Sequence, residues 1–398
     1  MIGPAKKHPH KFSWGFLLNH KFLFVVWVFT AFAAFFLKFR LGPRAYNNYE
    51  IFKSAFANLM AERSLYLPQP ELYNDMNHYG PFFGMFIAPF AMLPDWLGMM
   101  LWVLLPTVLM FFAIKVLPIE NKWQSAIYLL SVPLLYSALV MQQFNVYIAM
   151  LLVFCFVAVE NKREGWAALC IVVGTFVKLY GIVGLAFFFF VKRKPRFILM
   201  LLFWSAAAFC LPMLVADPSY VIGQYAEWFN QLEVRTIQNY LSFHQNISLL
   251  GVVRKVSGNL QYSDAWIMLG GVVMFLPAYL RRSQYKYVSF RTMLLASALI
   301  LVVLLSSGSE NSGYITAVVG VGVWLGATTA RRGFVIWFLV ALVVLSSLAI
   351  NIMPGWMYRD YFFRYSLRAI PFTLVWLRIC YELYFLDFYP RVARYKSF

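Results

Sequence analysis

The chain has 398 residues, of which 62% are hydrophobic and 19% aromatic, and its mean hydropathy is +0.68. Only 13% of the residues are charged, about half the usual share for soluble domains, so the composition excludes a soluble globular protein. The formal net charge of +18 comes from basic clusters beside apolar runs, which favours the positive-inside rule and anionic lipid contact over nucleic-acid binding. The chain is therefore predicted to be an all-α polytopic membrane protein.

The first apolar run, residues 22–37, is predicted to be a membrane span and not a cleavable signal. An arginine-containing loop follows it in place of a small-residue cleavage site, and more apolar runs come after it. Basic residues stand at both ends of the chain, which predicts that both termini are cytoplasmic. These are Lys6, Lys7, Lys11 and Lys21 at the start, and Arg391, Arg394 and Lys396 at the end.

The first polar loop is expected over residues 40–80. Within it, residues 49–63 predict an amphipathic helix that lies flat in the membrane interface, or one that packs on the bundle as an ordinary solvent-capped helix. The loop ends in the polar stretch Tyr73-Asn74-Asp75-Met76-Asn77-His78-Tyr79-Gly80-Pro81, just before the next apolar run. The apolar stripe of the helix comprises Ile51, Phe52, Ala55, Phe56, Leu59 and Met60.

Further along, residues 82–93 are too short to cross a bilayer without tilting or re-entering it. Residues 123–159 carry no formal charge and are long enough for two spans, with Gln142-Gln143-Phe144-Asn145 as the bend. A second break is expected at Lys178-Leu179-Tyr180-Gly181. We predict one domain, residues 1–398, of about twelve transmembrane helices. Two further polar loops are expected at 217–264 and 351–368, and a tight turn at 306–313.

Carboxylates are scarce on the loops opposite the basic clusters. A carboxylate or imidazole held at the membrane face can take a proton from a substrate hydroxyl. Asp75 and His78 lie in the polar stretch before a span, and Glu310 lies on a short turn. Glu50 opens the amphipathic helix, where a first-turn acid also suits the helix dipole. For each carboxylate the alternative is an ordinary surface acid.

Lys178 is the clearest charge inside an apolar region. Such a lysine is costly unless it meets an anion, a cavity or the interface, so it either contacts a phosphate or snorkels at a helix end. Arginines of the later loops can hold a lipid phosphate by forked hydrogen bonds, or anchor the loops at the interface. They are Arg254, Arg359, Arg364 and Arg368.

The four cysteines lie in apolar runs without metal-type spacing, so we predict neither a disulfide framework nor a zinc site. No phosphate-binding loop, dinucleotide fingerprint or metalloprotease motif is present. No cofactor is predicted, and a divalent cation is not indicated.

The ordered motifs of this chain resemble the polyprenol-phosphate-sugar-dependent glycosyltransferases of the GT-C superfamily, and in particular glycosyltransferase family 87, the mannosyltransferase-like group. The resemblance covers nearly the whole chain. The motifs are Asn47-Asn48-Tyr49-Glu50-Ile51-Phe52-Lys53, Asp75 with His78-Tyr79-Gly80-Pro81, Gln143-Phe144-Asn145, Lys178-Leu179-Tyr180-Gly181, Gln245-Asn246-Ile247-Ser248-Leu249 and Ser309-Glu310.

The resemblance implies a GT-C-like bundle with interfacial helices in the first extracytoplasmic loop. It implies inverting transfer of a hexose such as mannose, from a polyprenyl-phosphate donor to a lipid-linked or cell-surface glycan acceptor, at the extracytoplasmic face. The absence of an organelle address fits a bacterial inner membrane. Lys178 and the four loop arginines would contact the donor phosphate. The acceptor or sugar would be bound by Asn47, Asn48, Asn77, Tyr79, Gln143, Asn145, His244, Gln245 and Asn246.

One position departs from the family pattern. Family members commonly carry an aspartate, thought to act as base, at the start of the first-loop helix, where this chain has Asn47-Asn48. Because an amide cannot take a proton at neutral pH, the role would pass to Asp75 first, then to Glu50 or Glu310. The alternative readings are a protein that binds lipid-linked sugar without transferring it, and a transporter or flippase of that lipid.

Overall fold

The structure is a computed structural model that describes residues 18 to 389. Within these residues it consists of helices joined by turns, with no β-strand, as the composition predicts. The basic residues expected to hold the termini in the cytoplasm lie partly outside this range. Those outside are Lys6, Lys7, Lys11, Arg391, Arg394 and Lys396.

Seventeen α-helices follow one another in the described range, with shorter 3₁₀ and π segments between them. The first nine are α1 His20–Arg40, α2 Asn47–Met60, α3 Phe82–Ala91, α4 Asp95–Lys115, α5 Asn121–Val140, α6 Asn145–Glu160, α7 Glu164–Lys178, α8 Lys194–Cys210 and α9 Pro218–Gln238. The remainder are α10 Leu249–Ser257, α11 Ala265–Phe275, α12 Val288–Leu304, α13 Tyr314–Ala327, α14 Phe334–Ser347, α15 Ala349–Ile352, α16 Gly355–Met357 and α17 Ala369–Phe385. The 3₁₀ segments are Pro43–Tyr46, Tyr180–Phe190, Leu211–Leu214, Leu276–Leu280, Arg282–Gln284 and Asn311–Gly313, and Tyr358–Phe363 is a π-helix.

Four helical segments of the described range are long and apolar enough to cross a membrane by themselves. They are α1, α4, α5 and the segment Lys194–Leu214, which is α8 with its 3₁₀ extension. The other apolar helices are shorter, between 10 and 17 residues. The chain is thus a multi-pass membrane protein, whereas twelve crossings stay a prediction.

The two ends of the bundle are defined by α1 and α4, which run antiparallel. The ring of Phe24, near the start of α1, lies 5.1 Å from that of Phe111, near the end of α4. Arg40 and Asp95 therefore share one end, which we call the site end, while His20 and Lys115 share the other, which we call the basic end.

Helices α2 and α3 form a hairpin at the site end. The hydroxyl of Tyr49, in the first turn of α2, donates to the carbonyl of Phe90, near the end of α3, at 3.0 Å. Helix α4 also starts at the site end. The end of α3 therefore lies at the same end of the bundle as the start of α2. The apolar stripe predicted for α2 is mostly correct, since Ile51, Phe52, Ala55 and Leu59 are buried, while Met60 is exposed.

The chain breaks twice near the site, where the sequence predicted breaks. Helix α5 ends at Val140 and α6 begins at Asn145, while α7 ends at Lys178. A 3₁₀ segment then packs back against α7, and a Cβ at Gly181 would lie about 2.4 Å from the backbone nitrogen of Thr175. Only glycine permits this close approach, so the turn after Lys178 depends on it.

The core of the bundle lies around α12 and α13. Every residue of α13 is buried, and its side chains are apolar except for Tyr314 and Thr316. The outer helices expose large apolar side chains such as Phe29, Phe203 and Phe334, as expected for surfaces that face lipid. The turn between α12 and α13 at the site end is thus anchored by two of the most buried helices of the bundle.

Candidate functional site

A cavity of about 270 Å³ opens at the site end of the bundle. Seven parts of the chain line it: the start of α2, the stretch before α3, the bend between α5 and α6, the end of α7, the second half of α9, the loop between α9 and α10, and the turn between α12 and α13. The polar lining residues are Asn48, Asp75, His78, Tyr79, Gln143, Lys178, Tyr180, Arg235, Thr236, Asn239, Gln245, Ser306, Ser307 and Glu310.

Glu310 is held in the cavity by neutral donors. Its Oε2 accepts hydrogen bonds from Gln143 Nε2 and, at 3.4 Å, from Ser312 Oγ. The single hydroxyl proton of Ser312 is shared between Glu310 Oε2 and the nearer Gln143 Oε1, at 2.8 Å, so Ser312 and Gln143 fix each other. The carboxylate has no ion pair among the described residues, and this leaves its charge available to the cavity.

Lys178 faces the same cavity from the end of α7. Its Nζ donates to Asn145 Oδ1 at 2.8 Å and lies 5.1 Å from the ring centre of Tyr180. Asn145 in turn donates from Nδ2 to Gln143 Oε1 at 2.8 Å. One chain of amide hydrogen bonds thus joins the ammonium of Lys178 to the carboxylate of Glu310.

Asp75 lies at the rim of the cavity, beside the imidazole of His78 and the guanidinium of Arg235. His78 Nε2 lies 3.6 Å from its Oδ1, and Arg235 Nη2 lies 3.7 Å from its Oδ2. Burial alone would raise the pKa of Asp75, but His78, Arg235 and the backbone N–H of Met76 together hold it below its ordinary value. A carboxylate with a lowered pKa accepts a proton less readily.

The aromatic wall of the cavity is built around Tyr79. Its ring lies 5.1 Å from that of Phe52, and its hydroxyl accepts from the backbone N–H of Phe144 at 3.2 Å. Asn77 is buried and bonds both the N–H and the carbonyl of Tyr79 at 3.1 Å, so it shapes the turn and does not line the cavity.

The two asparagines at the start of α2 fasten loops together. Asn47 Oδ1 accepts from the N–H of Asn74 at 2.7 Å, and Asn48 Nδ2 donates to the carbonyl of Met141 at 2.7 Å. Asn48 also lines the cavity, whereas Asn47 does not. Their amides hold the polar stretch and the α5–α6 bend against α2.

Glu50 lies outside the cavity lining. Its carboxylate is 2.9 Å from Lys53 Nζ, which is also 2.9 Å from Asp95 Oδ1. The residue is buried, and this acid–lysine–acid cluster ties α2 to the start of α4. Its geometry suits a structural role.

The second loop contributes Gln245 alone from the predicted motif to the lining. The ring of His244 packs 5.4 Å from that of Phe363 instead. Asn246 is buried, its Oδ1 accepts from Ser248 Oγ at 2.8 Å, and its carbonyl accepts from Ser366 Oγ at 3.1 Å. His244 and Asn246 thus join the second loop to the third.

The guanidinium of Arg254 is occupied by contacts within its own loop. Its guanidinium carbon lies 3.8 Å and 4.2 Å from the ring centres of Tyr240 and Tyr262. Its Nη atoms donate to three backbone carbonyls and, at 2.7 Å, to Asp264 Oδ1. The side chain is fully buried and absent from the cavity lining, so these contacts favour a structural role over phosphate binding.

The three arginines of the third loop also lie outside the cavity lining. Arg359 is 71% exposed and pairs with its neighbour Asp360 at 2.8 Å, and Arg364 is also exposed. Arg368 is 4% exposed, its Nε has no hydrogen-bond partner, and its guanidinium carbon lies 5.8 Å from the Tyr314 ring centre.

Several lining or supporting residues were not singled out from the sequence, among them Arg235, Tyr180, Ser306 and Ser312. Arg235 comes from α9, about midway along the chain, and no local pattern links it to Asp75. Tyr180 and Ser306, whose oxygens lie 2.5 Å apart, and Ser312 belong to turns that the sequence did mark. Serines and tyrosines in those turns were the signal available.

In the described part of the chain, no three or more His, Cys, Asp or Glu side chains are grouped as a metal site. The expectation that no metal ion serves as cofactor stays a prediction.

The family described as glycosyltransferase family 87 matches residues 77–307, more than half of the chain. The crystal structure of ArnT from Cupriavidus metallidurans bound to undecaprenyl phosphate is similar with a TM-score of 0.49 and 15% sequence identity, over 90% of this chain and 72% of that chain. No curated protein matches the chain.

Proposed function

This chain belongs to glycosyltransferase family 87, and on that premise we propose that it is a membrane glycosyltransferase of the GT-C superfamily and propose the reaction that it carries out. It moves a hexose, for which mannose is the first candidate, from a polyprenyl-phosphate donor to a hydroxyl of a lipid-linked or cell-surface glycan. The transfer takes place in the cavity at the site end and inverts the anomeric centre.

The observation that carries this proposal is the shared placement of Glu310 and Lys178. Both side chains line one cavity and are joined through Gln143 and Asn145. Sugar transfer from a phosphate needs a base for the acceptor proton and a cation for the charge that develops on the leaving phosphate. The cavity holds one group of each kind.

The proposed step balances without a further reactant. The acceptor hydroxyl oxygen attacks the anomeric carbon from the face opposite the phosphate, and the new glycosidic bond forms as the bond to the phosphate oxygen breaks. The hydroxyl proton passes to Glu310. The polyprenyl phosphate leaves with the bonding electron pair, and Lys178 stabilises its added charge.

We assign the base to Glu310 ahead of Asp75, which reverses the order suggested by the sequence. Asp75 is paired with Arg235 and His78, and its pKa lies below the ordinary value, so it is the weaker base. Glu310 accepts only from neutral groups. Glu50 forms an ion pair with Lys53 and does not line the cavity.

Donor phosphate contacts other than Lys178 are proposed from Arg235 and Arg368. Arg235 lines the cavity, and its pairing with Asp75 at 3.7 Å is loose enough to exchange for a phosphate. Arg368 lies outside the cavity lining, and we keep it as a second candidate on one observation, that it is buried without a hydrogen-bond partner for its Nε. The exposed Arg359 and Arg364 are assigned to interface contacts.

The site end is proposed to face the extracytoplasmic side, with the protein in a bacterial inner membrane. The described clusters Lys192 to Arg196, Arg281 to Arg291 and Arg331 with Arg332 support this orientation. Contacts connect the second and third of these clusters to the end opposite the cavity. Arg291 pairs with Glu160 at the end of α6, and the Arg332 guanidinium carbon lies 4.1 Å from the Trp123 ring centre at the start of α5.

The experiment is transfer of labelled mannose from synthetic polyprenyl-phosphate-mannose by purified protein in lipid, with a panel of lipid-linked acceptors. Glu310→Gln tests the proposed base, and Glu50→Gln is the matched control, because it removes a carboxylate outside the cavity. We expect labelled product of inverted configuration from wild type and Glu50→Gln alone. Donor binding without transfer to any acceptor would overturn the proposal and favour a binding protein or flippase.

A further inference from the structure

Two clefts meet at the basic end of the bundle, far along the helices from the cavity. An apolar cleft of about 550 Å³ lies between α4, α6 and α7, and a second cleft of about 510 Å³ lies between the start of α7 and α8. We name them the apolar cleft and the basic cleft. Arg163, Trp166 and Leu169 line both, so these residues form a ridge with a cleft on each side.

The basic cleft carries unpaired positive charge at its mouth. Lys162, Arg163 and Arg196 line it and are exposed, and none has an ion pair with another described residue. Glu164 lines the same cleft but is only 3% exposed, so the lining has a formal charge of +2 and its accessible charge is positive. Like charges gathered at a membrane surface favour an anion between them.

Along the helices the character of both clefts changes from charged to apolar. On α8 the residues Arg196, Met200 and Trp204 recur every fourth position and so share one face. In the apolar cleft, Arg163 stands at one end, and side chains such as Phe154 and Phe86 continue toward the site end. A charged end followed by apolar walls matches a lipid that lies parallel to the helices.

We propose that this ridge binds an anionic phospholipid of the leaflet at the basic end. Its phosphate meets Lys162, Arg163 and Arg196, and its two acyl chains straddle Trp166 and Leu169, one in each cleft. The paired clefts favour a two-chain phospholipid over a single-chain polyprenyl phosphate. The apolar walls favour a lipid over free phosphate, and the positive charge favours an anionic headgroup over a zwitterionic one.

The site is independent of sugar transfer, so its test needs no substrate. Purified full-length protein is delipidated and titrated with phosphatidylglycerol carrying brominated acyl chains, and quenching of tryptophan fluorescence is followed. Trp166→Phe and Trp204→Phe identify the signal of the ridge among the 13 tryptophans. Brominated phosphatidylcholine and a polyprenyl phosphate serve as competing ligands.

Two variants with equal charge loss separate the site from general attraction. Arg163→Gln with Arg196→Gln should weaken phosphatidylglycerol binding by about tenfold or more, because each loses a charge-assisted phosphate contact. Arg282→Gln with Lys286→Gln, also at the basic end, should bind within about twofold of wild type. Leu169→Trp enlarges the ridge that both clefts share, without a change of charge, and should also weaken binding.

Several results would overturn the proposal. Equal quenching by phosphatidylcholine would remove the charge argument, and equal weakening by both double variants would reduce the site to surface attraction. Stronger displacement of brominated phosphatidylglycerol from the Trp166 signal by the polyprenyl phosphate than by unlabelled phosphatidylglycerol would identify a single-chain ligand on the ridge. Unchanged binding in both Arg163→Gln/Arg196→Gln and Leu169→Trp would show that the lipid binds elsewhere.

Discussion

Lys178 Nζ donates to Asn145 Oδ1 at 2.8 Å, so the last residue of α7 holds the first residue of α6. Because this bond fixes which side of the Asn145 amide carries the oxygen, its Nδ2 faces Gln143 Oε1. Gln143 then presents its own amide N–H to Glu310. The proposed cation and base are thereby positioned by one set of amides, in which every member is polarised by its neighbours.

Glu310→Gln should abolish the chemical step and keep the fold. The amide matches the carboxylate in shape but cannot take a proton, so kcat should fall about 10²- to 10⁴-fold. Donor affinity should change little, since we propose Lys178, and not Glu310, as the contact of the donor phosphate. Steady-state kinetics beside donor binding would measure both effects. An equal loss of activity in Glu50→Gln would show that the two acids act only through stability.

Lys178→Met should lower both donor affinity and turnover. The cation contacts the phosphate in the ground state, and its contribution grows as the bond to the sugar breaks, so kcat/KM should fall by about 10²-fold or more. Lys178→Arg should recover part of the loss, because the charge returns but the fit beside Tyr180 does not. Full activity of the methionine variant would contradict the assigned role.

Asp75→Asn separates the rim carboxylate from the proposed base. The pairs with His78 and Arg235 are 3.6 Å and 3.7 Å long and partly exposed, so their loss should cost less than about 1 kcal/mol of stability. Activity should stay within about tenfold of wild type, well above that of Glu310→Gln. A loss as large as that of Glu310→Gln would return the base to Asp75. A double-mutant cycle with Arg235→Gln measures the coupling of the pair.

The local sequence pattern was sufficient to predict those features that depend on a single segment of the chain. The amphipathic spacing of residues 51–59 predicted the buried face of α2, and Lys178-Leu179-Tyr180-Gly181 predicted a break in an apolar run. The structure adds that only glycine fits at Gly181. Lys178, Asp75 and Glu310 were found because charged groups beside apolar runs are costly and therefore rare.

Pairings between distant segments could not be read from the sequence. Arg235 reaches Asp75 across 160 residues, and Arg254 is enclosed by Tyr240 and Tyr262 only after the second loop folds on itself. In the sequence, an arginine that binds phosphate looks the same as one that caps its own loop, because both are flanked by polar residues. Only the burial and direction of the guanidinium distinguish them.

Arg254→Met should therefore destabilise the protein without a direct effect on the donor. The change leaves Asp264 without its cation and removes donors from three backbone carbonyls, at a cost of about 3 to 5 kcal/mol. Thermal unfolding should show the loss, and donor affinity of the folded fraction should be retained. Arg359→Met, at the exposed Asp360 pair, is the matched control and should change stability by less than about 1 kcal/mol. Weakened donor binding in folded Arg254→Met would restore its phosphate role.

Lys255 should make stability depend on alkaline pH. Burial lowers its pKa from 10.5 to about 8, while its ammonium donates to the Gln245 carbonyl and to Ser366 Oγ, both at 3.0 Å. Between pH 8 and pH 10.5 the unfolded chain then binds more protons at this residue than the folded protein does, so the folded state gains stability as the pH rises. Unfolding temperatures of wild type and Lys255→Met across this window would test the prediction. The stability of wild type relative to the variant should rise with pH, and a flat difference would place the pKa of Lys255 near its ordinary value.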